Sequence, residues 1–364
     1  MSHVEPWVIR PTPHSGELLS SYLVRISCAH GRSPRAFYRQ FFPNNTCWKI
    51  DLDRNVSDCF LKELSSFSRV DGRVLKDMTL KSWMDNLAAY KDKLSRSNAA
   101  VTPWVNSLGV HKRASRKHAL SFCPSCLKEK NFLRKEWRLS FVTVCSKHRK
   151  LLLDGCPNCD APIAFLGQDS CWSSCSQCGH SLLVQSGASE QFPIQDLCDF
   201  QDRLLRGLMD GKVVFSEHDL SAHEFFSGIY SVLGAVKLRL KMLGKKICLS
   251  LKLGTVAPKR LEFARVNERI QQCVLLNKLI ENWPSSFLAI CNEIGLSQRA
   301  FGDLNSLPIW LRRSVGHLKP GESRIHRPYV CTVRRELRQI HKRKACDWRA
   351  ERANLLLRKA GFQL

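Results

Sequence analysis

Four short motifs between residues 122 and 180 decide how this chain reads: F-C-P-S-C-L (122–127), V-C-S-K-H (144–148), G-C-P-N-C-D (155–160) and S-C-S-Q-C-G-H (174–180). They contain Cys123/Cys126, Cys145/His148, Cys156/Cys159 and Cys175/Cys178, each pair with a gap of two residues. A tight turn over such a gap brings two ligand atoms onto one tetrahedral ion. Eighteen residues separate Cys126 from Cys145 and fifteen separate Cys159 from Cys175, so a loop or hairpin can return each second pair to the first. The simplest grouping is two zinc ions in series, the first held by three cysteines and a histidine, the second by four cysteines. An interleaved pairing would use the same eight residues. Each set supplies four protein ligands and leaves no position for water, which argues for structural rather than catalytic zinc. Cys171, in C-W-S-S-C, is a spare that could replace Cys175, but spacing favours Cys175 with Cys178. The alternative, reduced or disulfide-bonded cysteines, requires four independent pairs to arise by accident.

Outside this stretch the composition is that of a globular protein with an unusual charge. The 364 residues are 44% apolar, enough for two or three domains. There is no run of about 18 apolar residues, so no membrane span is expected. M-S-H-V-E-P-W at the start lacks an apolar signal core. Of the seventeen cysteines, seven lie in the metal pattern and ten are scattered, which suits a reducing compartment. Together these features point to the cytoplasm. The net charge is +25 and it is concentrated at the two ends. Residues 1–120 hold 19 Lys/Arg against 10 Asp/Glu, and residues 301–364 hold 15 against 5. Such an excess implies a polyanionic partner, most often nucleic acid.

Working along the chain, two prolines in R-P-T-P-H (10–14) set an extended lead-in, and Ser15 or Gly16 is the expected cap of the helix that follows. Leu18, Leu19, Tyr22, Leu23 and Ile26 form its stripe. His30-Gly31 ends it, and Ser33 with Pro34 starts a second helix carrying Ala36, Phe37, Phe41 and Phe42. Helix, glycine turn and capped helix outline a helix-turn-helix, whose role is either DNA contact or structural support. Ser57 opens a further helix with Cys59, Phe60, Leu64 and Phe67. Val74, Leu75, Met78, Leu80, Trp83, Met84 and Leu87 predict one or two more. Residues 91–118 read as a basic linker and residues 186–200 as a second one. Between the first two metal pairs, Trp137, Leu139, Phe141 and Val144 predict a strand or short helix.

From about residue 196 the pattern is helical. Phe225, Ile229, Leu233, Val236, Leu240 and Leu243 mark one face of a long helix, with a short extended piece after it. Residues 237–260 hold eight Lys/Arg and no acid. S-S-F-L-A-I-C-N-E-I-G-L-S-Q-R-A-F-G-D-L (285–304) predicts a second helix-turn-helix, with Gly295 in the turn, Ser297 as cap, and Gln298 and Arg299 facing out towards base edges. Arg312, Arg313, Arg334, Arg335, Arg338, Lys342, Arg343 and Lys344 complete a candidate nucleic-acid surface. The expected architecture is mainly α: a helix-turn-helix N-terminal domain (1–118), a tandem zinc-finger module (119–185) and a basic helical C-terminal domain (186–364). There is no G-x-x-x-x-G-K-[ST] loop and no G-x-S-x-G elbow, and the acidic residues form no catalytic cluster in sequence, so no enzyme is expected.

At this point the order of parts resembles a known family. P-T-P-H-S-G-E-L-L-S-S-Y-L-V-R (11–25) followed by H-G-R-S-P (30–34) looks like the opening of the TniQ family of transposition proteins. L-S-S-F-S-R-V (64–70), L-K-D-M-T-L (75–80), the four metal motifs, W-P-S-S-F (283–287) and L-P-I-W-L (307–311) are similar to its later parts. The resemblance implies a non-enzymatic target-site selector for Tn7-like and related transposons, which connects a target to an AAA+ transposition regulator of the TnsC/TniB kind. Shorter members ride on a CRISPR Cascade ribonucleoprotein, often as a head-to-tail homodimer. Longer, TnsD-like members bind an attachment site on DNA through their C-terminal part. The length of this chain favours the Cascade-linked adaptor, and its basic C-terminus favours the direct DNA reader. The adaptor is placed first. Relatives in mercury-resistance-type transposons are a third home.

Overall fold

The computed structural model describes residues 5–43, 51–87, 102–108, 118–163, 172–184, 192–243, 256 and 259–321. Met1–Lys319 form one compact unit and Pro320–Leu364 a second. The expected basic tail with Arg334, Arg335, Arg338, Lys342, Arg343 and Lys344 lies outside the described residues, as do Cys171 and the piece after Leu243. The fold is mainly helical, and no described helix is long and apolar enough to cross a membrane.

Among the described residues, six helices build the N-terminal part: α1 (Leu19–Ala29), α2 (Pro34–Phe41), α3 (Leu52–Asn55), α4 (Asp58–Ser68), α5 (Gly72–Asp77) and α6 (Lys81–Leu87). The expected cap holds at Ser33, and Ser57, expected to open its helix, caps it too; their hydroxyls accept from Ala36 N–H and Phe60 N–H. At α1 they do not. Its cap residue is Leu18, with no side-chain bond. The free N–H groups of this first turn are satisfied from far away instead. Leu18 N–H donates to Leu133 C=O, Leu19 N–H to Met78 C=O and Ser20 N–H to Asp53 Oδ1. Tertiary acceptors thus replace the local cap expected at Ser15 or Gly16. α1 is buried on two sides. Leu19, Tyr22, Leu23 and Ile26 join an aromatic core around Trp7, Phe37, Tyr38, Phe42 and Phe60. Leu18 and Val24 join a larger core that runs through the metal region to Leu318.

That larger core is completed by α7 (Pro124–Glu129), the short pair β1 (Val144–Cys145) and β2 (Lys150–Leu151), α8 (Ile194–Asp210), the hairpin β3 (Lys212–Phe215) and β4 (His218–Ser221), α9 (Ala222–Leu243), α10 (Val266–Ile280), α11 (Ser285–Glu293) and α12 (Ile309–Gly316). α9 matches the predicted long helix, with Phe225, Ile229, Leu233, Val236 and Leu240 buried, whereas Leu243, expected on the same face, is exposed at the helix end. Two segments that read as linkers contribute to the body. Ile194 already begins α8. Trp104 is fully buried, its indole N–H donating to Phe226 C=O and its backbone N–H to Glu262 Oε1.

The second expected helix-turn-helix is not formed. α11 ends at Glu293 and Gly295 makes the turn at φ 61°, as predicted. The next helix is only a single 3-10 turn, Gln298–Phe301. Ser297 makes no side-chain cap, and Gly302 stops the turn at φ 71°, ψ −130°, a conformation reserved for glycine. A second 3-10 turn, Leu304–Ser306, leads into α12.

Candidate metal centres

The structure gathers the eight predicted ligands into two groups. Cys123, Cys126, Cys145 and His148 form one; Cys156, Cys159, Cys175 and Cys178 form the other, and in each the ligand atoms lie within 4.8 Å of one another. The grouping is sequential, not interleaved. In the first, Cys123 and Cys126 bracket the first turn of α7, and Cys145 and His148 sit on the β1–β2 turn. Arg149 closes that turn at φ 51°, with its N–H on Cys145 C=O. Cys126 Sγ lies 3.5 Å from Cys145 Sγ and 3.3 Å from His148 Nδ1; Cys123 Sγ and Cys145 Sγ lie 3.6 and 3.5 Å from that nitrogen. A tetrahedral ion with metal–sulfur bonds of about 2.3 Å has edges of roughly 3.8 Å, so these spacings fit one ion at the centre. Hydrogen bonds from Cys126 and Cys145 pull the Cys123 thiol down to about 3, and the same crowding pushes Cys126 far up. Four such donors within reach of one point could hold a metal ion, a donor set consistent with zinc. His148 turns Nδ1 to the sulfurs, and its Nε2–H donates to Glu129 Oε1 at 3.0 Å, which fixes the ring.

The second group is built from two near-copies of one turn. Asp160 N–H meets Cys156 C=O and Gly179 N–H meets Cys175 C=O, with φ 56° at Asp160 and 72° at Gly179. Asn158 N–H and Gln177 N–H each point at the first sulfur of their turn, at 3.4 Å. Such N–H donors favour thiolates. The spacings Cys156–Cys178, 3.6 Å, and Cys159–Cys175, 3.7 Å, again match tetrahedral edges. The backbone N–H of His180, with Cys159, holds the Cys178 thiol down at about 6. Cys156 and Cys175 are buried, whereas Cys159 and Cys178 are exposed.

Polar side chains absent from the sequence reading tie the centres to the helices. Arg138, 1% exposed, reaches Asp51 at 2.6 Å, Asp53 at 2.8 Å and Asn106 C=O at 3.0 Å. Asp53 also caps α1 through Ser20. Burial pushes Asp53 up to about 6, against the pull of Arg138 and with a push from Asp51. Arg269 of α10, also buried, donates to the carbonyls of Leu139, Ser140 and Val142 and to Ser121 Oγ. Gln201 of α8 accepts from Thr143 and Val144 N–H and donates to Val144 C=O. Arg265 bridges Asp154 and Asp160 beside the second centre. No spacing rule finds such partners, because they are 32 to 148 residues apart.

The predicted nucleic-acid residues are less uniform. Gln298 spends its amide on Gly316 and Leu318 C=O at the end of α12. Arg312 holds the carbonyls of Leu304, Asn305 and Leu307. Arg299 and Arg313 are exposed.

Comparison with known proteins agrees with the residues singled out above. The TniQ family model matches residues 8–152, from the N-terminal motif through the first metal centre. No curated protein matches the chain. Within the matched segment the motif and the metal region are joined: Lys135 N–H donates to Gly16 C=O, Leu133 N–H to Ser21 Oγ, and His14 stacks on Phe132 at 4.7 Å. Glu17, buried beneath, pairs with Arg25 at 2.6 Å. Over residues 8–152 the chain is thus similar to the TniQ family, and this similarity points to target selection in DNA transposition.

Proposed function

We propose that this protein is a non-enzymatic adaptor that couples a chosen target to an AAA+ transposition regulator, with the target supplied by a CRISPR Cascade ribonucleoprotein. The observation that carries the reading is the family match over residues 8–152, which covers the motif and the first metal centre as one packed body. In this reading both centres hold structural zinc. Four protein ligands each leave no site for substrate, and the ions act by joining distant segments. Cleavage and joining of strands then belong to a separate transposase. The three-part division at residues 118 and 185, a head-to-tail homodimer and a cytoplasmic location belong to the same proposal.

A second reading, direct recognition of an attachment site, is favoured by the 15 Lys/Arg against 5 Asp/Glu in the last 64 residues. It loses support at Gln298 and Arg312, whose polar groups are held by backbone carbonyls of their own chain. It rests instead on the exposed Arg313 and on the run from Arg334 to Lys344. Co-purification of the full chain with its Cascade complex and regulator, beside a mobility-shift titration on native and scrambled duplexes, separates the two. Stable co-purification with no sequence preference supports the adaptor. A preference of about a hundredfold or more for the native duplex supports the direct reader.

A further inference from the structure

Between Glu17 and Asp51 the sequence holds Arg25, Arg32, Arg35, Arg39 and Lys49 and no acidic residue. The structure separates these cations by use. Arg25 closes on Glu17. Lys49 lies outside the described residues. The other three surround α2, which is amphipathic in a specific way. Pro34, Phe37 and Tyr38 face inward, with Tyr38 Oη–H donating to Leu23 C=O at 2.7 Å and Phe37 packed on Trp7. Arg35, Arg39 and Gln40 face outward and are exposed, as are Ala36 and, just ahead of the helix, Arg32.

Among the described residues none of these three arginines meets a carboxylate. Arg32 donates to Gln40 Oε1. Several other arginines are committed: Arg138 and Arg265 to carboxylates, Arg269 and Arg312 to carbonyls. Arg35 and Arg39 are like charges one turn apart, an arrangement that opposes the helix unless an anion offsets it. The face is also rigidly presented. Ser33 caps the helix, Pro34 fixes its first turn, and an aromatic cluster, Trp7 stacked on Phe67 with Phe41 edge-on to both, holds its inner side.

We propose that this outer face of α2 docks on the phosphate backbone of duplex DNA, a contact separate from the basic C-terminal residues. Charge complementarity selects a polyanion. Arg35 and Arg39 lie along one helix with Arg32 just ahead of it, and they can meet the phosphates flanking the B-form DNA major groove because that groove is wide enough to seat a helix, whereas the A-form RNA major groove is deep and narrow. The proposal deepens the targeting reading and rests on it for the occasion of contact, since a selector must sit on or beside its target.

The test is binding of the full chain to a duplex of arbitrary sequence, measured across a salt series. Replacing Arg32, Arg35 and Arg39 together by Ala should lower the slope of log affinity on log salt by about 3, one for each lost phosphate contact. Their replacement by Lys should restore most of it, because a point charge suffices for phosphate. These side chains are exposed, so an unchanged melting curve shows that the variant is folded. An Ala variant with wild-type affinity and slope overturns the proposal, as does α2-dependent binding that is tighter to an RNA duplex than to DNA. Loss of regulator or Cascade co-purification from the wild-type chain reports on the targeting reading alone, whichever way the slopes fall.

Discussion

The two metal centres share a ligand number and a geometry but differ in their surroundings. Three of the four ligands of the first are buried cysteines within the main core, and its fourth is steadied by Glu129. α1 docks on the segment that follows α7, at Leu133, and Gln201 of α8 holds the backbone entering Cys145. The second centre exposes Cys159 and Cys178, and its tie to the helices runs through Arg265, itself about a third exposed. The same chemistry therefore does two jobs. The first cluster is a hub on which helices from both ends of the body converge, and the second lies in a more exposed module.

The largest expected effect follows from that asymmetry. Cys126→Ser should remove the first ion and with it the folded state. Metal binding there is worth on the order of 10 kcal/mol, comparable to the whole stability of a domain. Cys178→Ser should lower zinc from about two ions per chain to about one while the helical circular dichroism survives. Equal loss of helix in both variants breaks the comparison.

A smaller effect separates the two arginines. Arg138→Met leaves Asp51 and Asp53 buried without their cation, at a cost of about 3–5 kcal/mol. Arg265→Ala loses two pairs whose shared guanidinium is about a third exposed, and buried Asp154 keeps the Val266 N–H as a donor, so the cost should be smaller, about 1 kcal/mol. Denaturant unfolding measures both, and a larger loss at Arg265 reverses the ranking.

The smallest concerns pH. Asp53 is raised above its ordinary value of 3.8 to about 6 by burial. Between those values the folded protein binds more protons at this site than the unfolded chain does. Its contribution is therefore full below about pH 4 and is lost as pH rises through about 6. Asp53→Asn resembles the protonated form, so its stability relative to wild type should improve from pH 5 to pH 8. A constant difference across that range removes Asp53 as the titrating group.

Much of this is legible in the sequence, and what is not shares a cause. The eight ligands, the caps at Ser33 and Ser57 and the stripe of α9 are local patterns, and local patterns survive folding. The start of α1 misleads because its acceptors come from Asp53, Met78 and Leu133. Trp104 reads as linker because the charged stretches K-D-K-L-S-R (91–96) and H-K-R-A-S-R-K-H (111–118) flank its segment, while its neighbours in space are Phe141, Phe226 and Tyr230. The β3–β4 hairpin carries no turn signal. Its turn residues, Ser216 and Glu217, both have positive φ, where Asn-Gly would have announced the turn. Gln298, expected to face a base edge, instead caps α12, since an amide bonds to whichever carbonyl is near.

Arg269 has a consequence for where the gene can be cut. The family match stops at residue 152, yet the carbonyls of Leu139, Ser140 and Val142 inside it are satisfied by a guanidinium more than a hundred residues further on. A fragment ending at residue 152 would leave those oxygens and Ser121 without their donor and would strip α8 and α10 from the first metal hub. Recombination that exchanges one targeting specificity for another therefore has no workable joint at the border of the family segment. The nearest one the architecture offers lies after Lys319, where one compact unit ends and the next begins.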